Sequence, residues 1–138
     1  MIDKNVLRII DANINRAAEG LRVCEDIIRF MFNDAALTKG LKRLRHRVLD
    51  IINSSGISRS LLHNSRDAKG DCGSDFSVLE NRRSCEGVFF ANMQRAKEAL
   101  RVLEEFLKLY KTSAGRRFKS VRFELYAEEK RLTEKYFK

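Results

Sequence analysis

Apolar residues at Ile10, Ile14, Ala17, Leu21, Cys24, Ile28 and Met31 alternate steps of four and three, which puts them on one stripe of an α-helix. Asp3 stands where an N-cap is expected, so the spacing predicts a helix from there to about Phe32. Asn33 and Asp34 restart a helix through Leu37, Leu41, Leu44, Val48 and Ile51 or Ile52, which stops at the Asn53, Ser54, Ser55, Gly56 break. Residues 1–54 therefore read as a helical hairpin. From Ser58 to Arg83 the periodicity fails, and Gly70, Gly73 and several Asp, Asn and Ser residues mark 55–83 as an irregular loop with one short helical turn around Phe76 to Leu79. Ser84 caps the next expected helix, through Phe89, Met93, Ala96, Leu100, Leu103 and Leu107, and Ser113 to Gly115 separates it from a last helix reaching about Tyr136. Residues 84–138 form a second hairpin, and the 138 residues are expected to make a single all-α domain.

The two hairpins share polar positions as well as apolar ones. On an offset of 79, Ala12, Asn13, Arg16, Ala17, Glu19, Leu21, Arg22, Val23 and Glu25 match Ala91, Asn92, Arg95, Ala96, Glu98, Leu100, Arg101, Val102 and Glu104, nine identities in fourteen positions. Ordinary composition gives roughly one match in fifteen positions by accident. The second helices agree more weakly, Leu41, Lys42, Leu44, Arg45 and Val48 facing Phe118, Lys119, Val121, Arg122 and Leu125. The expected architecture is a four-helix bundle of two long hairpins related by a pseudo-twofold axis.

Composition supports this and bounds the chemistry. Proline is absent, and Leu, Lys, Arg, Glu and Ala dominate, so helices run without interruption. Cys24, Cys72 and Cys85 are too far apart in sequence for a structural zinc site with His46 and His63; Cys24 is expected in the core and both histidines at the surface or in a groove. An odd cysteine count, with no signal sequence and no apolar run long enough to cross a bilayer, leads to the expectation of a cytoplasmic protein without a membrane segment. The net charge of +9, from 28 basic and 19 acidic residues, favours anionic ligands: nucleotides, phosphorylated metabolites or nucleic acid.

Successive helical residues turn by about 100°, so Asn13, Arg16 and Gly20 line one flank of the apolar stripe, Glu25 lies on the other, and Arg22 and Asp26 face solvent. Arg16 with Glu19, and Arg22 with Glu25 or Asp26, also fit ordinary surface ion pairs. That account leaves the asparagines unexplained, since Asn13 and Asn92 are mediocre helix formers away from any cap, whereas a paired amide suits a polar ring or ribose. In the loop, Arg66, Asp67, Lys69, Asp71 and Asp75 stand among small residues, where glycine turns can aim amides at phosphate and aspartates can hold magnesium. No P-loop motif occurs.

The motifs R-I-I-D-A-N-x-N-R-A-x-E-G-L-R-V-x-E-D-x-x-R-F, L-R-H, R-D-x-x-G-D and A-N-x-x-R-x-x-E-A-L-R-V-L-E-E run over nearly the whole chain. In them it resembles the small hydroxymethylpyrimidine-phosphate kinase family of thiamine biosynthesis, found alone or fused N-terminally to thiamine phosphate synthase. The resemblance implies ATP-dependent conversion of 4-amino-5-hydroxymethyl-2-methylpyrimidine phosphate to its diphosphate, with Mg2+ as cofactor. The acceptor monoester, with a second pKa of about 6, is already an anionic nucleophile near neutral pH. Catalysis then asks for arginines and a metal rather than a general base. On this footing Arg16, Arg22, Arg66, Arg95 and Arg101 are the expected catalytic phosphate ligands. Asn13, Asn92, Glu19, Glu98, Arg45 and Arg122 are expected to bind substrate or nucleotide, and Asp67, Asp71, Glu25, Asp26 and Glu104 to bind metal.

Two other classes compete. A basic helical module binding nucleic acid fits the charge, but acids are interleaved throughout and no aromatic stacking motif appears. A noncatalytic partner of thiamine phosphate synthase would dock through an apolar bundle face, and the same kind of face would serve a homodimer.

Overall fold

The computed structural model describes residues 2–76 and 84–138 and contains five α-helices, with no strand among those residues. Helix α1 (Lys4–Asp26) starts at Asp3, whose carboxylate accepts from the N–H groups of Asn5 and Val6. It runs into one π-helical turn, Ile27–Met31, before α2 (Ala35–Ser54). A short α3 (Arg59–Ser65) follows, then α4 (Cys85–Leu107) and α5 (Thr112–Tyr136).

Helix α1 packs most extensively on α4; α2 packs on α5, and each long helix also packs on its hairpin neighbour. Contacts fix the directions. Gly20 of α1 meets Asn92 and Ala96 of α4, and the Cys24 thiol, further along α1, donates to the Phe89 carbonyl at 3.5 Å. Arg47 of α2 pairs with Glu124 of α5, and Arg117 donates to Ser54 Oγ at 2.6 Å. All adjacent long helices are therefore antiparallel, in the ring order α1, α2, α5, α4. A Cβ at Gly20 would lie 2.8 Å from the Asn92 carbonyl oxygen, so glycine is what lets α1 and α4 cross this closely.

The core is the expected stripe from each helix, with Ile10, Ala17, Leu21, Cys24 and Ile28 meeting Phe89, Met93, Ala96, Leu100 and Leu103, all fully buried. Burial, reinforced by the Glu129 charge, pushes the Cys24 thiol up to about 12. Met31 departs from expectation: the wider π turn advances less than 100° per residue and rotates it out of the stripe, leaving it 60% exposed beside exposed Phe30. Asn33 then reverses the chain with φ of 51°, a conformation asparagine tolerates.

Two further boundaries differ from the sequence pattern. Residues 59–65, expected to be irregular, form α3, capped by Ser58 Oγ on the Leu61 N–H; Leu62 and Ser65 alone are buried there, too few to register as a period. The break between the last two helices falls after Leu107 rather than at Ser113 to Gly115. Gly115 is inside α5 because a Cβ there would stand 2.7 Å from Lys108 Cγ and 3.0 Å from the Glu104 carbonyl oxygen, so it serves close packing, not chain breaking. The turn expected around Phe76 to Leu79 lies, beyond Phe76, outside the described residues. No helix among the described residues is long and apolar enough to cross a membrane.

Candidate functional site

Each hairpin joins its two helices by the same buried ion pair. Arg45 Nε donates to Glu25 at 2.8 Å, and Arg122 Nη2 donates to Glu104 at 2.9 Å, with side-chain exposures of 15%/5% and 11%/2%. Burial alone would depress the Arg122 cation, but neighbouring Tyr126 and the hydrogen-bonded Glu104 outweigh it and raise its pKa. Glu25 and Glu104, expected as metal ligands, are thus committed to arginine, and Arg45 and Arg122 are committed with them. The repeated asparagines also match: Asn13 Nδ2 donates to the Ile9 carbonyl at 2.8 Å and Asn92 Nδ2 to the Val88 carbonyl at 2.9 Å. In both, the amide oxygen is left for another donor.

On the first hairpin the chain after α2 returns across α1. Asp11, buried on α1, takes Arg66 in a bidentate pair, Nε to Oδ2 at 2.6 Å and Nη2 to Oδ1 at 3.0 Å. Contact with Asp11 raises the Arg66 pKa further above its ordinary value. Arg8 Nη2 donates to the Asp67 carbonyl at 3.4 Å. Asp67 Oδ1 accepts from the Gly70 N–H at 2.8 Å and Asp71 Oδ1 from the Gly73 N–H at 2.9 Å, so both aspartates shape their own turns.

These contacts enclose a cleft of about 370 Å³ lined by Arg8, Asp11, Asn13, Arg16, Arg66, Asp67 and Asp71. Five expected site residues meet here: Asn13, Arg16, Arg66, Asp67 and Asp71. Arg16 is exposed and has no carboxylate within 4.0 Å among the described residues. Three guanidinium groups, that of Arg66 paired with Asp11, border the cleft with Asp67, Asp71 and Asn13, an arrangement chemically suited to an anionic ligand with polar functions.

The remaining expected residues are elsewhere. Arg22 pairs with Asp26 at 3.5 Å, and Arg101 with Glu105 at 3.2 Å, both half-exposed pairs of the i,i+4 type. Glu98, Arg101 and Arg122 border a groove of about 490 Å³ between α4 and α5 with Lys97 and Tyr126. Arg22 and Glu25 border a third cleft at the tip of the first hairpin. Glu19 and Arg95 are exposed, and Asn92 is half-buried. The five expected metal ligands do not converge, and no three His, Cys, Asp or Glu side chains among the described residues are placed to hold an ion.

Arg8 and Asp11 are functional candidates that sequence reasoning passed over. The repeat carried the signal in negative form: on the same offset their counterparts are Gly87 and Phe90, so the acid and the base that anchor Arg66 and Asp67 are peculiar to the first hairpin.

Comparison with known proteins agrees with the extent of this fold unit. Residues 8–131 match the model of the ThiD2 family. The chain is 38% identical over 133 residues to a thiamine-phosphate synthase of Nostoc punctiforme, covering 95% of this chain and 36% of that protein. It is 40% identical over 133 residues to that of Nostoc sp. PCC 7120, again 95% and 36%, and 38% identical over 126 residues to that of Rhodopirellula baltica, 90% and 33%. The chain therefore spans about a third of the length of the curated relatives it matches. No solved structure matches it. With the match reaching from Arg8 at the first cleft to Arg131 near the end of α5, the chain belongs to the ThiD2 family.

Proposed function

We propose that this protein acts in thiamine biosynthesis as an ATP-dependent phosphotransferase that converts 4-amino-5-hydroxymethyl-2-methylpyrimidine phosphate to its diphosphate. The observation that carries the reading is the convergence of Arg8, Arg16 and Arg66 with Asn13, Asp67 and Asp71 in one cleft. Relatives named thiamine-phosphate synthase support the pathway, and thiamine phosphate synthase is the proposed partner that consumes the product.

Transfer joins two groups that are both highly charged, so the barrier is dominated by their repulsion and by alignment. Arg16 and Arg66 bind the phosphates. Arg66 gives Nε and one Nη2 hydrogen to Asp11 and keeps its Nη1 donors for ligand, while Asp11 fixes the plane of the guanidinium. Arg8 holds the Asp67 main chain and so sets the distance between the loop and α1. The Asn13 amide oxygen accepts from the exocyclic amine of the pyrimidine. The donor set fits magnesium: Asp67 and Asp71 each retain an oxygen with no partner among the described residues, and this ion is ordinarily held by one or two carboxylates together with substrate phosphates. Bound there, magnesium would neutralise charge on the transferring phosphoryl group.

The test is turnover by the purified protein with magnesium and ATP, comparing the pyrimidine monophosphate with the free alcohol. Diphosphate formed from the monophosphate, and none from the alcohol, is expected because an unphosphorylated substrate leaves the arginines without a partner. Folded protein that phosphorylates neither would leave it as a noncatalytic partner of the synthase.

A further inference from the structure

The cleft at the tip of the first hairpin has a volume of about 480 Å³ and opens where the π turn meets the first two turns of α2. Arg22 and Arg29 line one wall, Lys39 and Lys42 the other. Its carboxylates are already matched, Glu25 by Arg45 at 2.8 Å and Asp34 by Lys135 at 2.6 Å. Arg22 has Asp26 at 3.5 Å, but Arg29, Lys39 and Lys42 have no carboxylate within 4.0 Å among the described residues. The concavity therefore holds uncompensated positive charge. Ala35 also lines it, and the N–H groups of Ala35 and Ala36, at the start of α2, have no acceptor within the helix. Thr38 is a lining residue whose hydroxyl oxygen is buried without a partner.

The repeat separates this cleft from ordinary surface charge. On offsets of 79 for the first helices and 77 for the second, Arg22, Arg29, Lys39 and Lys42 correspond to Arg101, Lys108, Arg116 and Lys119, so all four charges recur at the other hairpin tip. There Gly115, in the place of Thr38, lets α5 lie against Lys108. Glu104 and Glu105 take up Lys108 at 3.7 and 3.4 Å and Arg101 at 3.8 and 3.2 Å. The contrast lies in the first-helix pair: Arg101 and Lys108 are both taken up by carboxylates, whereas of Arg22 and Arg29 only Arg22 is, and Arg29 faces the cleft with Lys39 and Lys42.

We propose that the tip cleft of the first hairpin is a second anion site, one that takes a small molecule bearing a diphosphate or triphosphate group. A single phosphate monoester has at most two charges, whereas a polyphosphate can span both walls. Thirteen residues of helix separate Arg29 from Arg16, roughly 20 Å at 1.5 Å per residue, so this site is distinct from the cleft over the start of α1 and does not depend on the phosphotransferase reading.

Inorganic triphosphate titrated into the full 15N-labelled chain at 0.15 M salt gives the test, because amide shifts report each cleft separately. Saturable shifts of Ala35, Ala36, Lys39 and Lys42 are expected. Replacing Lys39→Gln with Lys42→Gln should weaken that response at least tenfold, and Arg116→Gln with Lys119→Gln less than twofold. All four side chains are exposed, and both pairs remove the same net charge. Equal weakening by the two pairs would reduce the effect to overall charge and overturn the site, as would shifts confined to the surroundings of Arg16 and Arg66. A short single-stranded RNA that displaces triphosphate from the tip at lower concentration would overturn the small-molecule assignment.

Discussion

In the first hairpin Glu25 receives one arginine, Arg45; in the second Glu104 receives Arg122 and has Arg101 and Lys108 within 3.8 Å as well. The shared pair joins the two helices within each hairpin, and each copy adapts the rest. The first copy carries Asp11 and Arg8, which hold Arg66 and Asp67 over α1; the second has Phe90 and Gly87 at those positions. Repetition thus marks the residues that join helices, and departures from it mark where the cleft over the start of α1 lies. Asn13 and Arg16 belong to both sets, since their copies Asn92 and Arg95 stand at the same places on α4, Asn92 with the same amide-to-carbonyl bond.

The largest test of this division is on activity. Arg16→Glu is expected to lower kcat/KM for the pyrimidine monophosphate by roughly a thousandfold, the scale of losing one preorganised charge at a transition state. Arg95→Glu should stay within about threefold of the parent. Steady-state kinetics on both variants, with circular dichroism to confirm helicity, measures the ratio. Equal losses would place chemistry in both copies.

Stability separates the two ion pairs. Removing one partner of a buried pair costs about 3 kcal/mol, because the other charge is left desolvated. Glu104→Ala is expected to reach that value in urea unfolding and Glu25→Ala to cost less, since Glu104 is the anion for three cations and Arg45 is slightly better hydrated than Arg122. Replacing Glu104→Leu together with Arg122→Met should recover most of the loss. If Glu25→Ala were the costlier change, the picture of Glu104 as the more heavily used copy would be wrong.

The bundle was legible because its determinants are local and periodic: the stripes from Ile10 to Ile28 and from Phe89 to Leu107 dictate both burial and pairing. The ion pairs were half legible. Glu25 and Arg45 were singled out, but the polar repeat suggested ligand binding, and only the register of α1 on α2 shows that they bind each other. Sequence spacing also could not link Asp11 to Arg66, fifty-five residues apart, because that contact depends on how the chain turns after α2. Helix α3 hid for the opposite reason, being too short to repeat any pattern. Gly115 misled as a breaker because close packing and chain reversal both select glycine.

A smaller effect is expected where the second hairpin carries a polar residue at a core position of the first. Glu128 occupies the place of Ile51, is 5% exposed, and has one oxygen without a hydrogen-bond partner; the other accepts from mostly exposed Arg131 at 2.6 Å. Glu128→Leu removes a half-satisfied carboxylate from the core, so a gain of about 1 kcal/mol is expected in urea unfolding. A loss of similar size would mean that the carboxylate is satisfied in solution and that the hairpins differ here for a stabilising reason.

The finest contrast lies at the two α-helix starts, α2 and α5. Lys111 caps α5 without a side-chain bond, whereas Asp34 caps α2 through the Leu37 N–H at 3.0 Å and also accepts from Lys135 Nζ at 2.6 Å and Tyr136 Oη at 2.7 Å. The Lys135 bond, then those from Tyr136 and Leu37, hold the Asp34 carboxyl well below the usual carboxylate range. A depressed native pKa contributes stability above the unfolded value of about 3.9 and loses it as pH falls through the native value. Asp34→Asn can keep the cap and lose the ion pair. Its melting temperature should therefore lie below the parent's by a constant amount from pH 7 to about pH 4, and the gap should narrow steadily from there to pH 2. A gap that persists undiminished at pH 2 would show that Asp34 acts through its cap alone, as a residue at the Lys111 position would, and that the first hairpin tip is not tied to the end of α5 by charge.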